Sequence, residues 1–204
     1  MEPFSVLSGV AAPLPQADID TDIIFPARFL LITAKTGLGR YAFHEWRYAP
    51  DGQLRPDFVL NQPRFARAPI LVVGDNFGAG SSREQAPWAL RDLGVRCIIS
   101  TAFGEIFETN CYNIGILPVR VTAEQLALLM ADGEAGLPVQ VDLERQAISR
   151  RNEPDIAFNV KAWRKQALLN GWDEIALIDR QLGACITAFE QQQRALSPWL
   201  YTED

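Results

Sequence analysis

Residues 70–90 read ILVVGDNFGAGSSREQAPWAL, and that order decides the fold: a strand, a glycine-rich loop, then a helix. Ile70–Val73 is a short, largely β-branched apolar run, the pattern of a buried strand. Gly74, Gly78 and Gly80 interrupt regular structure and allow close backbone approach, and Ser81 or Ser82 can cap a helix expected over 82–93. At such a helix start, unpaired N–H groups and the positive end of the macrodipole attract an anion, and Arg83 adds a planar fork that can hold a carboxylate at two points. An ordinary capped helix with Glu84 in its first turn has the same spacing. The segment therefore reads as a strand–loop–helix unit with a candidate site for a small organic anion.

Outward from it, the chain alternates: strand 95–100, helix 103–113, strand 116–121, helix 123–132. That alternation predicts an α/β fold with parallel pairing. Thr122 with Gln125 three positions on forms a capping-box signature, and Gly133 marks the expected exit of that helix. Upstream lie a strand over Phe4–Ala11 and an irregular stretch to about residue 66. Downstream, 138–149 and 155–160 alternate enough for short strands, and 161–170 and 183–195 read as helices. The expected organisation is one domain over 1–204 with a C-terminal helical extension from about residue 161.

Several chemistries are excluded. Arg83 stands where a Gly-x-Gly-x-x-Gly pattern needs its third glycine, and Ser81-Ser82 follows Gly80 where a P-loop needs Lys-Ser/Thr, so nucleotide binding is not expected. A serine hydrolase would need Gly-x-Ser-x-Gly and a histidine base, but the only histidine, His44, lies in an aromatic stretch that suits a structural role. With 204 residues, 48% of them hydrophobic, the chain can bury a sizeable core, and its net charge of −6 argues against a nucleic-acid surface. No apolar run reaches membrane-spanning length, and Met1-Glu2-Pro3-Phe4 lacks the basic start and apolar core of a signal peptide, so a cytoplasmic location is expected. Cys97, Cys111 and Cys185 are widely spaced and read as buried thiols, so no metal is expected on this chain. Asp18-Ile19-Asp20-Thr21-Asp22 fails as a calcium loop because its sixth and twelfth positions are Ile23 and Phe29.

The motifs together resemble the small subunits of 3-isopropylmalate dehydratase, in the aconitase superfamily. The resemblance rests on Asp20-Thr21-Asp22 with Pro26-Ala27-Arg28-Phe29-Leu30, then Pro56-Asp57-Phe58-Val59-Leu60-Asn61, then Asn76-Phe77-Gly78-x-Gly80-Ser81-Ser82-Arg83-Glu84 and Ala86-Pro87-Trp88-Ala89-Leu90. Phe103-x-x-Ile106-Phe107, Asn110, Gly115-x-Leu117-Pro118-Val119 and Leu168-Leu169-Asn170-Gly171 carry it almost to the end. Departures fall at Ala79, often cysteine in the family, at Gln85, commonly histidine, and at Asn113-Ile114.

The resemblance implies an aconitase-type swivelling β/β/α domain, with a mostly parallel sheet flanked by helices. It implies the small subunit of a hydro-lyase that isomerises 2-isopropylmalate to 3-isopropylmalate in leucine biosynthesis. Ser81 would be the catalytic base, with Ser82 and Arg83 holding a dicarboxylate substrate, and Asp20 and Asp22 at the mouth of the site. Gly78, Gly80, Glu84 and Gln85 would support it, and Leu31 and Ile32 would offer aliphatic surface to the isopropyl group. The [4Fe–4S] cluster of such enzymes would come from a separate large subunit. Another branched malate or a citraconate-type substrate stays open, as does a non-catalytic carboxylate-binding domain.

Overall fold

All four residues of Ile70–Val73 are buried, so this strand feeds apolar side chains to both faces of a sheet. A computed structural model describes residues 1–34, 36–80 and 83–201. In it β1 (Val6–Leu14), β2 (Ile70–Val73), β3 (Cys97–Ser100) and β4 (Leu117–Arg120) lie parallel in that spatial order. From the other side of β1, the strands β5 (Pro138–Asp142), β6 (Ala147–Ser149) and β7 (Ile156–Ala157) continue the sheet antiparallel. The alternating segment is thus parallel as expected, and the hairpin strands complete a mixed seven-stranded sheet.

Parallel neighbours need crossovers, and helices supply them. Leu71, Val73 and Ile98 point to one core with Ala86, Ala89 and Leu90 of α3 (Gln85–Asp92) and Phe107 and Cys111 of α4 (Glu105–Asn113). The irregular region to about residue 66 covers this face too, through α1 (Thr21–Ile24), α2 (His44–Arg47) and the buried Phe25, Phe43 and Phe65. Ile70, Val72, Cys97 and Ile99 face a second core with Leu129 of α5 (Ala123–Glu134) and Leu168 of α6 (Ala162–Asn170).

Several boundaries differ from expectation: β1 runs Val6–Leu14 where Phe4–Ala11 was expected, and three helices depart for identifiable reasons. The helix after the glycine loop begins at Gln85, not 82, and Glu84 is its N-cap residue without a side-chain cap bond. Pro87 has no N–H to reach back to Arg83, so the ladder starts with Trp88 N–H to Glu84 C=O at 3.2 Å. The Thr122–Gln125 capping box forms, but its helix runs past Gly133 to Glu134. Gly133 serves close packing instead: a Cβ there would lie 2.6 Å from the Ala11 carbonyl oxygen. The last helix, α7 (Glu174–Leu196), starts nine residues before the expected 183, because Asp173 caps it by accepting from Ala176 N–H at 2.8 Å. Among the described residues no helix is long and apolar enough to cross a membrane.

Candidate active site

The parallel strands β1, β2 and β3 end side by side, with Leu14 level with Val73 and Val72 level with Ile99. Carboxyl ends of such strands are where open α/β sheets place ligands. Here the three following loops are joined by main-chain bonds. Gly74 N–H donates to Leu14 C=O and Asp18 N–H to Asp75 C=O, both at 2.9 Å, Gly78 N–H to Ile19 C=O at 2.7 Å, and Thr21 N–H to Ala79 C=O at 3.0 Å. On the other side Phe77 donates to Ala102 C=O at 3.1 Å and Gly104 to Phe77 C=O at 2.9 Å. The glycine loop therefore forms the middle rung of a three-stranded patch beyond the sheet.

Asp18 and Asn76 tie the same loops through a side-chain bond of 2.8 Å from Asn76 Nδ2 to Asp18 Oδ1. Both sit in the left-handed region, at φ 55°, which Asn and Asp adopt more readily than most residues. Sequence reasoning gave neither a role, although an Asp and an Asn at loop bends is the pattern such geometry leaves. Gly78 has φ 73°, and a Cβ there would lie 2.2 Å from the Phe107 ring, so close packing against α4 demands glycine. Gly80 also needs positive φ, at 89°, but among the described residues a Cβ added there would meet only ordinary contact, 3.7 Å from Asp20 Cβ.

The acids of the first motif divide their work. Asp20 Oδ1 accepts from Ile23 N–H at 2.8 Å and caps α1, so its role in the structure is to shape the turn. Asp22 takes both terminal nitrogens of Arg83: Nη1 donates to Oδ1, and Nη2 to Oδ2 at 2.8 Å. Arg83 Nη1 also donates to the Phe25 carbonyl at 3.3 Å, a partner that no sequence signal marked. The guanidinium is thus aimed by one carboxylate and one main-chain oxygen, two residues ahead of α3. Glu84 is exposed and Gln85 half-buried at the first turn.

Ser81 and Ser82 lie outside the described residues. The expectation that one of them caps the helix falls on those residues; the first helical residue described is Gln85. The specificity pair separates: Leu31 is 93% exposed, while Ile32 packs against the core beside Phe29 and Leu30. His44 takes the structural part expected of it, with Nδ1 2.9 Å from Arg28 Nη2 and its ring against Phe29 and Tyr48.

A cluster would need thiolates converging on one point. Cys97 in β3 and Cys111 in α4 are fully buried on different elements, and burial pushes both thiols upward, the direction that disfavours thiolate. Cys185, expected to be buried, is exposed on α7, a helix with no buried residue. These residues do not fit an iron–sulfur centre, and among the described residues no group of three or more His, Cys, Asp or Glu converges for a metal.

Comparison with known proteins agrees with this geometry. Residues 1–124 match the family model of the aconitase C-terminal domain. The chain is similar to the 3-isopropylmalate dehydratase small subunits of Afipia carboxidovorans and Paramagnetospirillum magneticum, at 49% identity over 202 residues, covering 98% of this chain and 100% of each relative. The same identity holds over 201 residues for the small subunit of Agrobacterium fabrum. A solved 3-isopropylmalate dehydratase structure from Methanocaldococcus jannaschii shares the fold, with a TM-score of 0.66 at 23% identity, over 91% of this chain and 99% of that one.

Proposed function

The chain belongs to the family of 3-isopropylmalate dehydratase small subunits, within the aconitase superfamily, and we propose that it is the small subunit of a cytoplasmic hydro-lyase interconverting 2-isopropylmalate and 3-isopropylmalate in leucine biosynthesis. The observation that carries this reading is likeness over the whole chain combined with a glycine loop whose backbone is fixed on both sides and which ends in an oriented arginine. A mere carboxylate-binding domain would need the arginine but not the serine before it.

In this reading Arg83 binds a substrate carboxylate, and Ser81 as alkoxide removes the proton alpha to a carboxylate. A serine hydroxyl is far too weak an acid to ionise unaided, so the reading requires preorganised positive potential from Arg83 and nearby N–H groups. Leu31, exposed on the free chain, meets the branched side group once the site closes. Loss of hydroxide is the task of a large subunit that carries the cluster, since this chain's cysteines do not fit one.

The test is reconstitution with a large subunit and assay on 3-isopropylmalate. Ser81→Ala should lower kcat by about 10³-fold or more with little change in KM, since a group needed mainly in the transition state is removed. Arg83→Lys should raise KM as well, because a point charge replaces a planar fork. Near-normal turnover by Ser81→Ala with both subunits folded would end the assignment.

A further inference from the structure

The helix α7 is 23 residues long and none of its residues is buried. At 1.5 Å per residue it extends about 35 Å. Ile175, Ile178, Leu182, Ile186, Phe189 and Leu196 are exposed by 78%, 44%, 50%, 40%, 61% and 69%. Five of the six, all but Ile186, follow a 3-4 heptad spacing. Cys185 and Gln192 fill the remaining seam positions, and Ile186 lies beside the seam. Helices in water owe most of their stability to packing such a face.

We propose that this face pairs, antiparallel and about a two-fold axis, with the same helix of a second copy of the chain. Its position in the fold separates it from the candidate active site. The N-terminal ammonium donates to Gly171 C=O at 2.7 Å and Phe4 N–H to Leu168 C=O at 2.9 Å, so α6 and the start of α7 are fastened where β1 begins. The site opens at the other end, beyond the carboxyl ends of β1–β3, and a subunit closing over it approaches from that end.

The seam is also self-complementary. An antiparallel alignment that sets Leu182 against Cys185 of the second copy sets Ile178 against its Phe189, and the relation is the same in both directions, as an isologous contact requires. Flanking positions near the centre hold Asp179, Gln181, Ile186, Ala188 and Gln193; Asp179 is the one charge among them and its two copies fall on opposite sides of the centre, so no like charges face each other there. Burying each apolar residue would remove on the order of 100 Å² from water, and with the flanking glutamines the seam approaches the roughly 800 Å² per partner of a specific interface. The outer face carries Arg180, Glu190 and Arg194, with Glu174 and Asp179 flanking the seam, a balance that lacks the basic excess of a membrane-surface helix.

The test uses the full chain in solution. Light scattering should give twice the 22.7 kDa of the chain. Under mild oxidation Leu182→Cys should give a covalent dimer by disulfide formation with Cys185 of the second copy, because the alignment sets those positions opposite and Cys97 and Cys111 are fully buried. Leu182→Glu and Phe189→Glu should each weaken dimerisation by roughly a hundredfold or more through an unpaired carboxylate in the seam, with circular dichroism unchanged. Cys185→Ser should abolish the cross-link but keep the dimer. A chain that stays monomeric to its solubility limit would overturn the proposal, as would a dimer indifferent to both glutamates. So would a monomer whose glutamate variants lose only the large subunit, since the face would then serve that partner.

Discussion

Asp22→Asn perturbs the contact on which the geometry of Arg83 depends. It keeps the size of the side chain and one acceptor oxygen but removes the charge and the second acceptor. In the free chain the Asp22 side chain is 53% exposed and that of Arg83 13%, so water screens the pair and stability should fall by no more than about 1 kcal/mol. In the assembled enzyme, with water excluded, a hydrogen bond to a charged group contributes about 1.5–3 kcal/mol, which at 1.4 kcal/mol per decade corresponds to about 10- to 100-fold in kcat/KM. One bond to the remaining amide oxygen and the 3.3 Å contact to Phe25 C=O would then aim the guanidinium in place of the two-point grip. Arg83 both binds a substrate carboxylate and supplies positive potential at the serine base in this reading, so the loss should appear as a higher KM together with a lower kcat. Steady-state kinetics of the reconstituted pair, beside thermal melts of the small chain alone, measure both effects. An unchanged or higher kcat/KM would refute the reasoning, because it would mean that Asp22 competes with substrate for Arg83 instead of positioning it.

Gly78→Ala should destabilise the chain by about 2–4 kcal/mol, since φ 73° and a Cβ 2.2 Å from the Phe107 ring act together; Gly80→Ala, strained but without a clash, should cost about 1–2 kcal/mol. Equal shifts in melts of the two variants would count against the close packing of the loop on α4. Leu31→Arg should leave the melting temperature of the free chain unchanged, as Leu31 is 93% exposed, but weaken transition-state binding of isopropylmalate by about 2 kcal/mol through a desolvated charge; an unaltered kcat/KM would remove this loop from substrate selection. Burial, followed by the charge of Arg28, holds the His44 pKa below its ordinary value. The folded chain therefore favours the neutral ring, and the stability that follows is present above the unfolded value of about 6.5 and lost as pH falls below it. His44→Gln, which cannot titrate, should flatten the decline of the melting temperature below neutral pH, and an unchanged slope would exclude the ring as its source.

Three of the four parallel strands were legible as short apolar runs between breakers: Ile70–Val73 matches residue for residue, and Cys97–Ser100 and Leu117–Arg120 differ only at their ends, whereas β1, interrupted by Gly9 and Pro13, runs three residues past the expected Ala11. Helix starts were less legible where a missing donor decides them. Pro87 delays α3 by removing one N–H, a local effect that apolar periodicity does not register. Gly133 was expected to end one helix and Gly183 to open another, yet both lie inside helices, one for close approach to β1 and the other on an uncovered helix. In the site, Arg83 and the two aspartates were identifiable as residue types at a motif. The division between Asp20 as cap and Asp22 as arginine partner depends on which way a four-residue helix turns, and no spacing encodes that.

The departures from the family pattern can be weighed by what each position contributes structurally. Ala79, where the resemblance leads to an expectation of cysteine, joins the loops through its carbonyl, which accepts from Thr21 N–H, so the bond survives any side chain there. Ile114 follows α4 as its C-cap and packs against the first core, a role any apolar residue of similar size could fill. Gln85 is different. It is the first residue of α3, two positions after Arg83 and half-buried, and an amide can donate and accept there but cannot titrate as a histidine would. The backbone framework is therefore insensitive to two of the departures, and the third bears on the protonation state near Arg83. If the family's histidine sets the acidic limb of a pH–rate profile, Gln85→His in the reconstituted enzyme should introduce a new limb near pH 6–7 without changing the melting temperature of the chain. A profile identical to that of the unmodified enzyme would mean that position 85 does not sense the charge at Arg83, and the departure would then carry no weight for the reaction.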